Sequence, residues 1–141
     1  NIIISGDQIL PTISSNVSVR ATEPYENPLK DWLDSCKKLI KELPADVLVL
    51  PSHGKPFIGA HERLKALIEE HENNMEKLKL ECISPKRAID VFPALFRAKI
   101  NRNNLLMATG ESLAHLNCLI ERGEMSVAMD DAGVNYYQTN G

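Results

Sequence analysis

Two short apolar runs on either side of an amphipathic helix constrain the fold of this chain most strongly. Residues 2–4 and 47–50 are continuous apolar runs rich in β-branched side chains, which is typical of buried strands. Between them, apolar residues recur at helical spacing from Leu29 to Leu43, with Asn27 and Pro28 suited to the start of a helix and Pro44 suited to its end. The order strand, helix, strand predicts a βαβ unit, which is right-handed if its strands are parallel.

The second half of the chain is predicted to be mainly helical and to end in a hairpin. Ser84 and Pro85 are suited to the cap and first turn of a helix, and Gly133 lies in a short polar link between two β-prone runs. The predicted elements are three helices at about 60–80, 84–95 and 104–121, and two strands at 125–129 and 134–138. The order helix, helix, hairpin over residues 84–139 is that of a winged-helix module. The predicted domains are 1–82 and 83–141.

The composition of the chain excludes several classes of protein. With 141 residues, 43% hydrophobic and 25% charged, it resembles an ordinary soluble domain. No apolar run approaches the roughly 20 residues that a membrane helix needs, so no membrane partner is expected. The net charge of -3 argues against a dedicated nucleic-acid coat. Three widely spaced cysteines predict reduced, buried thiols in a cytoplasmic protein rather than a disulfide framework.

The beginning of the sequence predicts that the chain is a fragment of a longer protein. Residues 1–4, Asn-Ile-Ile-Ile, lack an initiator Met, a basic segment and a signal-peptide cleavage pattern. They resemble the middle of a β-strand instead.

Polar residues follow both predicted strands, and two of them are candidate metal ligands. Asp7 comes directly after the first strand, and His53 follows the second. Because parallel strands of one unit bring their carboxyl ends to the same edge of the sheet, the two side chains are expected to meet there. A carboxylate and an imidazole are good zinc ligands. The alternative is a turn aspartate and a surface histidine, since a catalytic zinc site takes three protein ligands.

Several segments together resemble the C-terminal half of a metallo-β-lactamase-fold hydrolase, in the branch whose catalytic domain is followed by a small winged-helix domain. The segments are 5–11 (Ser-Gly-Asp-Gln-Ile-Leu-Pro), 15–17 (Ser-Asn-Val), 27–29 (Asn-Pro-Leu) and 50–57 (Leu-Pro-Ser-His-Gly-Lys-Pro-Phe), with Gly59 and Arg63. The fold implied is α/β: an incomplete part of the αββα sandwich, followed by a mainly α winged-helix-like domain.

The resemblance also implies a site and a reaction. Asp7 corresponds to the aspartate that bridges two divalent metal ions, zinc in the first instance, and His53 to the last histidine ligand. Asp7 would also have a catalytic role, by orienting the water that attacks an ester, thioester, lactam or phosphodiester bond of a small-molecule substrate. The family's other ligands belong to an upstream His-x-His-x-Asp-His motif, and none of the four histidines here lies in one. The fragment alone is therefore expected to bind metal weakly or not at all and to be inactive.

Two other functions stay open: a nucleic-acid-binding winged helix and a protein-interaction module. The would-be recognition helix at 104–121 contains no Lys or Arg, which disfavours DNA. A modest basic group between Lys86 and Arg102 leaves single-stranded RNA open as a ligand. Both predicted strands are apolar on both faces, so a homo-oligomer that covers a bare sheet face is expected.

The remaining polar and aromatic residues are predicted to be structural. His71 and His115 lie among apolar residues of their helices and are expected to be packed. His61 is expected to be solvated, Arg63 to bind nearby loop carbonyls, and Trp32 to anchor its helix on the sheet.

Overall fold

The computed structural model describes residues 1–141, which form four strands and four helices. In chain order these are β1 (Ile2–Gly6), α1 (Pro28–Glu42), β2 (Leu48–Pro51), α2 (Ala60–Glu81), α3 (Phe92–Leu95), α4 (Leu105–Glu121), β3 (Met125–Met129) and β4 (Asn135–Thr139). The mixed α/β character expected from the sequence is confirmed.

The first half of the chain forms the predicted βαβ unit. Strands β1 and β2 pair in parallel, with Ile3 opposite Val49 and Gly6 opposite Pro51. Helix α1 forms the crossover, and Asn27 caps it, because the Asn27 Oδ1 accepts a hydrogen bond of 3.1 Å from the Lys30 backbone N–H. The two carboxyl ends of the strands therefore lie side by side.

A compact core covers one side of this small sheet. Its fully buried members come from the loop after β1, from α1, from β2 and from the start of α2: Ile9, Cys36, Val47, Val49, Ala60 and Leu64. Ile3 and Trp32 pack against this cluster, so Trp32 has the anchoring role expected of it.

The other face of β1 is bare, and the expectation of a fully buried strand was wrong. The side chains of Ile2 and Ile4 are 66% and 83% exposed. Since successive residues of a strand point to opposite faces, Ile3 alone of the three is turned toward the core. On this face Ile2 and Ile4 are largely exposed, while their β2 partners Leu48 and Leu50 are half-buried.

The long irregular segment between β1 and α1 is partly buried. Val17 and Val19 are each 7% exposed. The Val19 N–H donates a hydrogen bond of 2.9 Å to the backbone oxygen of Gly110 in α4. A Cβ on Gly110 would lie 2.9 Å from both the Ser18 Cβ and the Val19 oxygen. Glycine at this position therefore permits the close approach of the segment to the helix.

The helix predicted to open at Ser84 and Pro85 is reduced to the single turn α3. Lys86 is extended instead, and it exchanges two backbone hydrogen bonds with Tyr137 of β4, of 3.0 and 2.7 Å. The next residues form a turn in which the Arg87 side chain and backbone bind the Asp90 carboxylate. A backbone that is paired with a strand cannot make helical hydrogen bonds at the same residue, so this part of the prediction was wrong.

The hairpin forms close to its predicted bounds. Strands β3 and β4 are antiparallel, with Val127 opposite Tyr137. The Asp130 Oδ1 accepts hydrogen bonds from the backbone N–H groups of Ala132 and Val134. Gly133 takes a φ of +80°, which glycine adopts without strain.

The chain divides into two compact units, each made of two stretches of sequence. The first contains residues 1–16 and 31–70, and the second contains residues 17–30 and 71–141. The domain limits 1–82 and 83–141 stay a sequence-based prediction. None of the helices is both long and apolar enough to cross a membrane.

Candidate functional site

The candidate site lies in the first unit, where β1 and β2 end. Gly6 has a φ of +54°, which turns the chain directly after β1 and is followed by Asp7. The Ser52 N–H donates a hydrogen bond of 3.1 Å to the Gly6 carbonyl. This bond brings the loop after β2 against the loop after β1.

The structure brings the two sequence-predicted residues together. The Nε2 atom of His53 lies 3.7 Å from the Oδ1 atom of Asp7. The side chains are 68% and 64% exposed, so both reach solvent. The proximity expected from the parallel strands is therefore present.

Two serines that were not predicted as site residues hold Asp7. The Ser52 Oγ donates a hydrogen bond to the Asp7 Oδ1, and the Ser15 Oγ donates one to the Asp7 backbone carbonyl. The first restrains the carboxylate and the second restrains the main chain. Ser52 adjoins His53 in the sequence, which is a local signal for the first contact. Nothing near Ser15 in the sequence indicates the second.

The loop that carries Asp7 is tied down from several sides. Arg63 of α2 donates from Nε to the Leu10 oxygen at 2.6 Å and from Nη2 to the Ile13 oxygen at 2.9 Å, as expected from the sequence. The Ser5 Oγ donates to the Ile9 oxygen at 3.0 Å. A side chain also cannot be added to the opposing loop at Gly54, where a Cβ would lie 2.5 Å from the Pro11 Cγ. The two loops are thus closely fitted to each other.

The thiol beside this loop has a structural role. The Gln8 Nε2 donates to the Cys36 Sγ at 3.3 Å. Burial raises the pKa of the Cys36 thiol to about 11, against a smaller opposing effect of the Gln8 hydrogen bond. The group is therefore a neutral thiol near pH 7 and not the thiolate that binds metals. Cys82 and Cys118 are also buried and free, as predicted.

The other histidines do not complete the site. His61 was expected to be solvated, but it is partly buried and its Nε2 lies 2.8 Å from the Leu43 oxygen. His71 and His115 are 1% and 0% exposed, as expected for packed residues. No group of three or more His, Cys, Asp or Glu side chains is placed to hold a metal ion. Asp7 and His53 fit a metal as two ligands of a larger set.

Comparisons with known proteins identify a family and two solved structures that this chain resembles. Residues 75–140 match the family described as metallo-beta-lactamase-like, C-terminal domain. The crystal structure of a beta-lactamase domain protein from Burkholderia ambifaria is 40% identical, with a TM-score of 0.93 over 99% of this chain and 41% of that chain. A metallo-beta-lactamase family protein from Thermus thermophilus is 29% identical, with a TM-score of 0.83 over 99% of this chain and 42% of that one. No curated protein matches in sequence.

The fold and these similarities define the class of protein. The chain belongs to the metallo-β-lactamase superfamily, as its motifs indicated. Proteins of this superfamily are generally hydrolases and generally use divalent metal ions. The chain spans about two fifths of the length of the two relatives, 41% and 42%.

Proposed function

We propose that this chain is the C-terminal part of a binuclear-metal hydrolase, with Asp7 and His53 as metal ligands. The observation that carries the proposal is the 3.7 Å between the Asp7 Oδ1 and the His53 Nε2 at the carboxyl edge of two parallel strands. Ligand sites of open α/β sheets lie at this edge. The donor atoms, a carboxylate oxygen and an imidazole nitrogen, suit Zn²⁺ first and also Mn²⁺ or iron.

The described residues have distinct parts in the proposed reaction. Divalent metals at such a site polarise the scissile bond and lower the pKa of water, which makes hydrolysis feasible near neutral pH. Asp7 contributes a negative charge that offsets the charge of the metals and orients the attacking water. The Ser52 hydroxyl holds the Asp7 carboxylate in one orientation, and the backbone hydrogen bond from Ser52 to Gly6 keeps the two loops in register. The proposed substrates are small esters, thioesters or lactams.

The proposal predicts weak but localised metal binding by the chain alone. A site that has only two of the four or more ligands lacks most of the chelate advantage of the complete set. We therefore expect no stoichiometric Zn²⁺ binding at micromolar concentration. At millimolar Mn²⁺, NMR signals should broaden selectively at Asp7 and His53. His53→Ala should abolish this broadening, whereas Lys55→Ala, an exposed neighbour, should not.

Two outcomes would contradict this assignment. If the broadened signals were centred on residues other than Asp7 and His53, these two residues would not be the metal ligands. Submicromolar one-to-one zinc binding that depends on His53 would show that the donor set in this chain is complete. An upstream His-x-His-x-Asp-His motif in the coding sequence would supply the missing ligands, and its absence would leave Asp7 and His53 without them.

The second half of the chain is proposed to be a winged-helix-like module that serves as an interaction surface. The order α3, α4, β3, β4 supports this topology. Helix α4 carries no Lys or Arg between residues 105 and 121, which argues against insertion into a DNA groove. We therefore favour a protein surface over DNA, with RNA as the nucleic-acid alternative.

A further inference from the structure

A cavity of about 280 Å³ opens on the second unit, and none of its lining residues is a proposed metal ligand. Its walls come from three parts of that unit: Pro24 and Tyr25 of the irregular segment, the side of α4, and the paired strands β3 and β4. The volume is close to the lower end of the roughly 300–1,000 Å³ typical of small-molecule sites. A ligand of this cavity must therefore be small.

Most of the wall is apolar and aromatic. Leu113 and Ile120 of α4 face Val127 and Tyr137 of the hairpin across it. Tyr25, which also lines the cavity, is 84% exposed. Because burying a tyrosine ring is favourable, a ligand that covers this ring would gain binding energy. The cavity thus offers the exposed ring of Tyr25 and aliphatic surface to a planar apolar body, whereas Tyr137 is itself buried.

One wall of the cavity is held in shape by a specific contact. The Asn117 Nδ2 donates to the backbone oxygens of Pro24 and Glu26, at 3.0 and 2.9 Å. Both amide hydrogens are therefore used to hold the segment that carries Tyr25 against α4. The cavity is built by these bonds before any ligand arrives, so little ordering cost remains for binding.

Besides the hydroxyls of Tyr25 and Tyr137 and the side-chain amide of Asn135, the wall offers an amide oxygen and a carboxylate. Since Asn117 uses both amide hydrogens, its Oδ1 is the group that remains to receive a donor. Glu121 also lines the cavity, and its Oε2 accepts one hydrogen bond of 2.8 Å from Asn27, which leaves Oε1. No Lys or Arg lines the cavity. Because Glu121 is the one charged group on the wall, a positively charged donor suits it better than an anion does.

We infer that this cavity is a binding site for a small aromatic amine in its ammonium form. The ring lies among Tyr25, Val127 and Tyr137, and the ammonium donates to the Glu121 carboxylate and the Asn117 Oδ1. The exposed ring of Tyr25 adds a cation–π attraction. The site is separate from the proposed metal ligands and does not depend on them.

The test uses 2-phenylethylammonium as the probe and the complete 141-residue chain. We expect it to bind with a dissociation constant of about 1 mM or below, and to shift the NMR signals of the Asn117 side-chain amide and of Tyr25. 3-Phenylpropionate has the same apolar body with the opposite charge, and should bind at least about tenfold more weakly. 2-Phenylethanol should fall between them.

Two substitutions test whether the probe binds in this cavity and whether the Glu121 charge contributes to its affinity. Val127→Trp fills the cavity from β3 and should weaken binding at least about tenfold, whereas Met129→Trp on the same strand should leave it unchanged. Glu121→Gln should weaken the ammonium probe about fivefold and should not weaken 3-phenylpropionate.

Three results would overturn the inference. One is the absence of binding at about 10 mM probe, since a prebuilt site of this size should be detected there. The second is equal affinity for the three probes, which would show that they bind an apolar surface that does not select for charge. The third is binding that persists unchanged in Val127→Trp, which would place the ligand elsewhere.

Discussion

His71 and His115 form a buried, hydrogen-bonded pair of imidazoles in the second unit. The His115 Nδ1 lies 2.8 Å from the Glu111 carbonyl oxygen, which can only accept, so Nδ1 carries the proton. The His115 Nε2 is then the acceptor for the His71 Nδ1 at 3.0 Å. Since burial disfavours the charged form of an imidazole, both rings are assigned as neutral in the folded state.

The pair predicts a loss of stability on mild acidification. Burial lowers the pKa of His71 to about 4 from 6.5, against a smaller opposing effect of Glu72. Because the unfolded chain binds the proton more tightly, this contribution to the free energy of unfolding is complete above about pH 6.5 and falls as the pH is lowered to about 4. The expected loss is about 3 kcal/mol. Urea unfolding at a series of pH values measures it.

His71→Asn is the matched control for this prediction. Asparagine offers an amide donor to the His115 Nε2 but does not titrate. Its unfolding free energy should depend less steeply on pH between 6.5 and 4. Equal slopes for the variant and the parent would show that another group is responsible.

Arg63 stabilises the loop that carries Asp7, and its loss should be measurable. Arg63→Ala removes two charge-assisted hydrogen bonds to the Leu10 and Ile13 oxygens. We expect a loss of about 2 kcal/mol in unfolding free energy. Arg63→Lys keeps the charge but not the planar fork, so it should recover only part of the loss.

Lys65→Ala serves as the comparison for Arg63→Ala, because Lys65 is an exposed residue of the same helix. It should change stability by less than about 0.5 kcal/mol. Denaturant unfolding gives both values, and limited proteolysis reports whether residues 7–15 become accessible. A loss in Lys65→Ala equal to that in Arg63→Ala would refute a specific contribution of the guanidinium.

At the scale of elements, the contact between α4 and the segment at 17–19 depends on Gly110. In an open helix, Gly→Ala gains about 1 kcal/mol. Here the added methyl would meet the Ser18 Cβ and the Val19 oxygen at 2.9 Å. It would also disturb the hydrogen bond from the Val19 N–H to the Gly110 oxygen. We therefore expect Gly110→Ala to destabilise the protein by about 1–3 kcal/mol, as measured by thermal or urea unfolding.

The adjacent residue gives the control for this substitution. Thr109 bonds the Leu105 oxygen within its own helix, at 2.8 Å. Thr109→Ala should be neutral or slightly stabilising, since alanine is the better helix former. If Gly110→Ala were also stabilising, the close approach of the two segments would not be present in solution.

At the scale of the whole molecule, the bare face of β1 predicts self-association. Ile2 and Ile4 are both largely exposed, and β1 pairs with a strand on one side only. Burying a large aliphatic side chain is worth about 1.5–3 kcal/mol. We expect a twofold dimer that covers this face, because such a dimer lets each copy bury the same surface.

Ile4→Lys should shift the dimer toward monomer in sedimentation velocity, because it places a charge in the apolar contact. Leu106→Lys removes an equally exposed apolar side chain, 88% exposed, from the other unit and should leave the association unchanged. A parent chain that sediments as a monomer at high concentration and binds no hydrophobic dye would defeat the prediction.

The residues of the candidate site show where prediction from sequence succeeded. The proximity of Asp7 and His53 could be predicted because two parallel strands joined by a helical crossover place their carboxyl ends at the same edge of the sheet. The partners of Asp7 could not be predicted as easily. Ser15 binds the Asp7 carbonyl from 8 positions away in the sequence, and such a contact leaves no periodic signal. The bonds from Arg63 to the carbonyls of this loop, by contrast, were expected.

The sequence by itself determined the elements whose hydrogen bonds and caps are local. These include α1 with its Asn27 cap, α2, α4 and the hairpin closed at Asp130 and Gly133. Tertiary structure decided the elements whose backbone N–H and C=O groups could instead form hydrogen bonds with a segment distant in the sequence. Residues 84 and 85 offer a good helix start, yet the two hydrogen bonds of Lys86 to Tyr137 hold Lys86 extended, and the residues after it form a turn. Burial was decided in the same way. The apolar run at 2–4 predicts cover on both faces, but only Ile3 packs against the core, because burial depends on which distant segments fold onto each face.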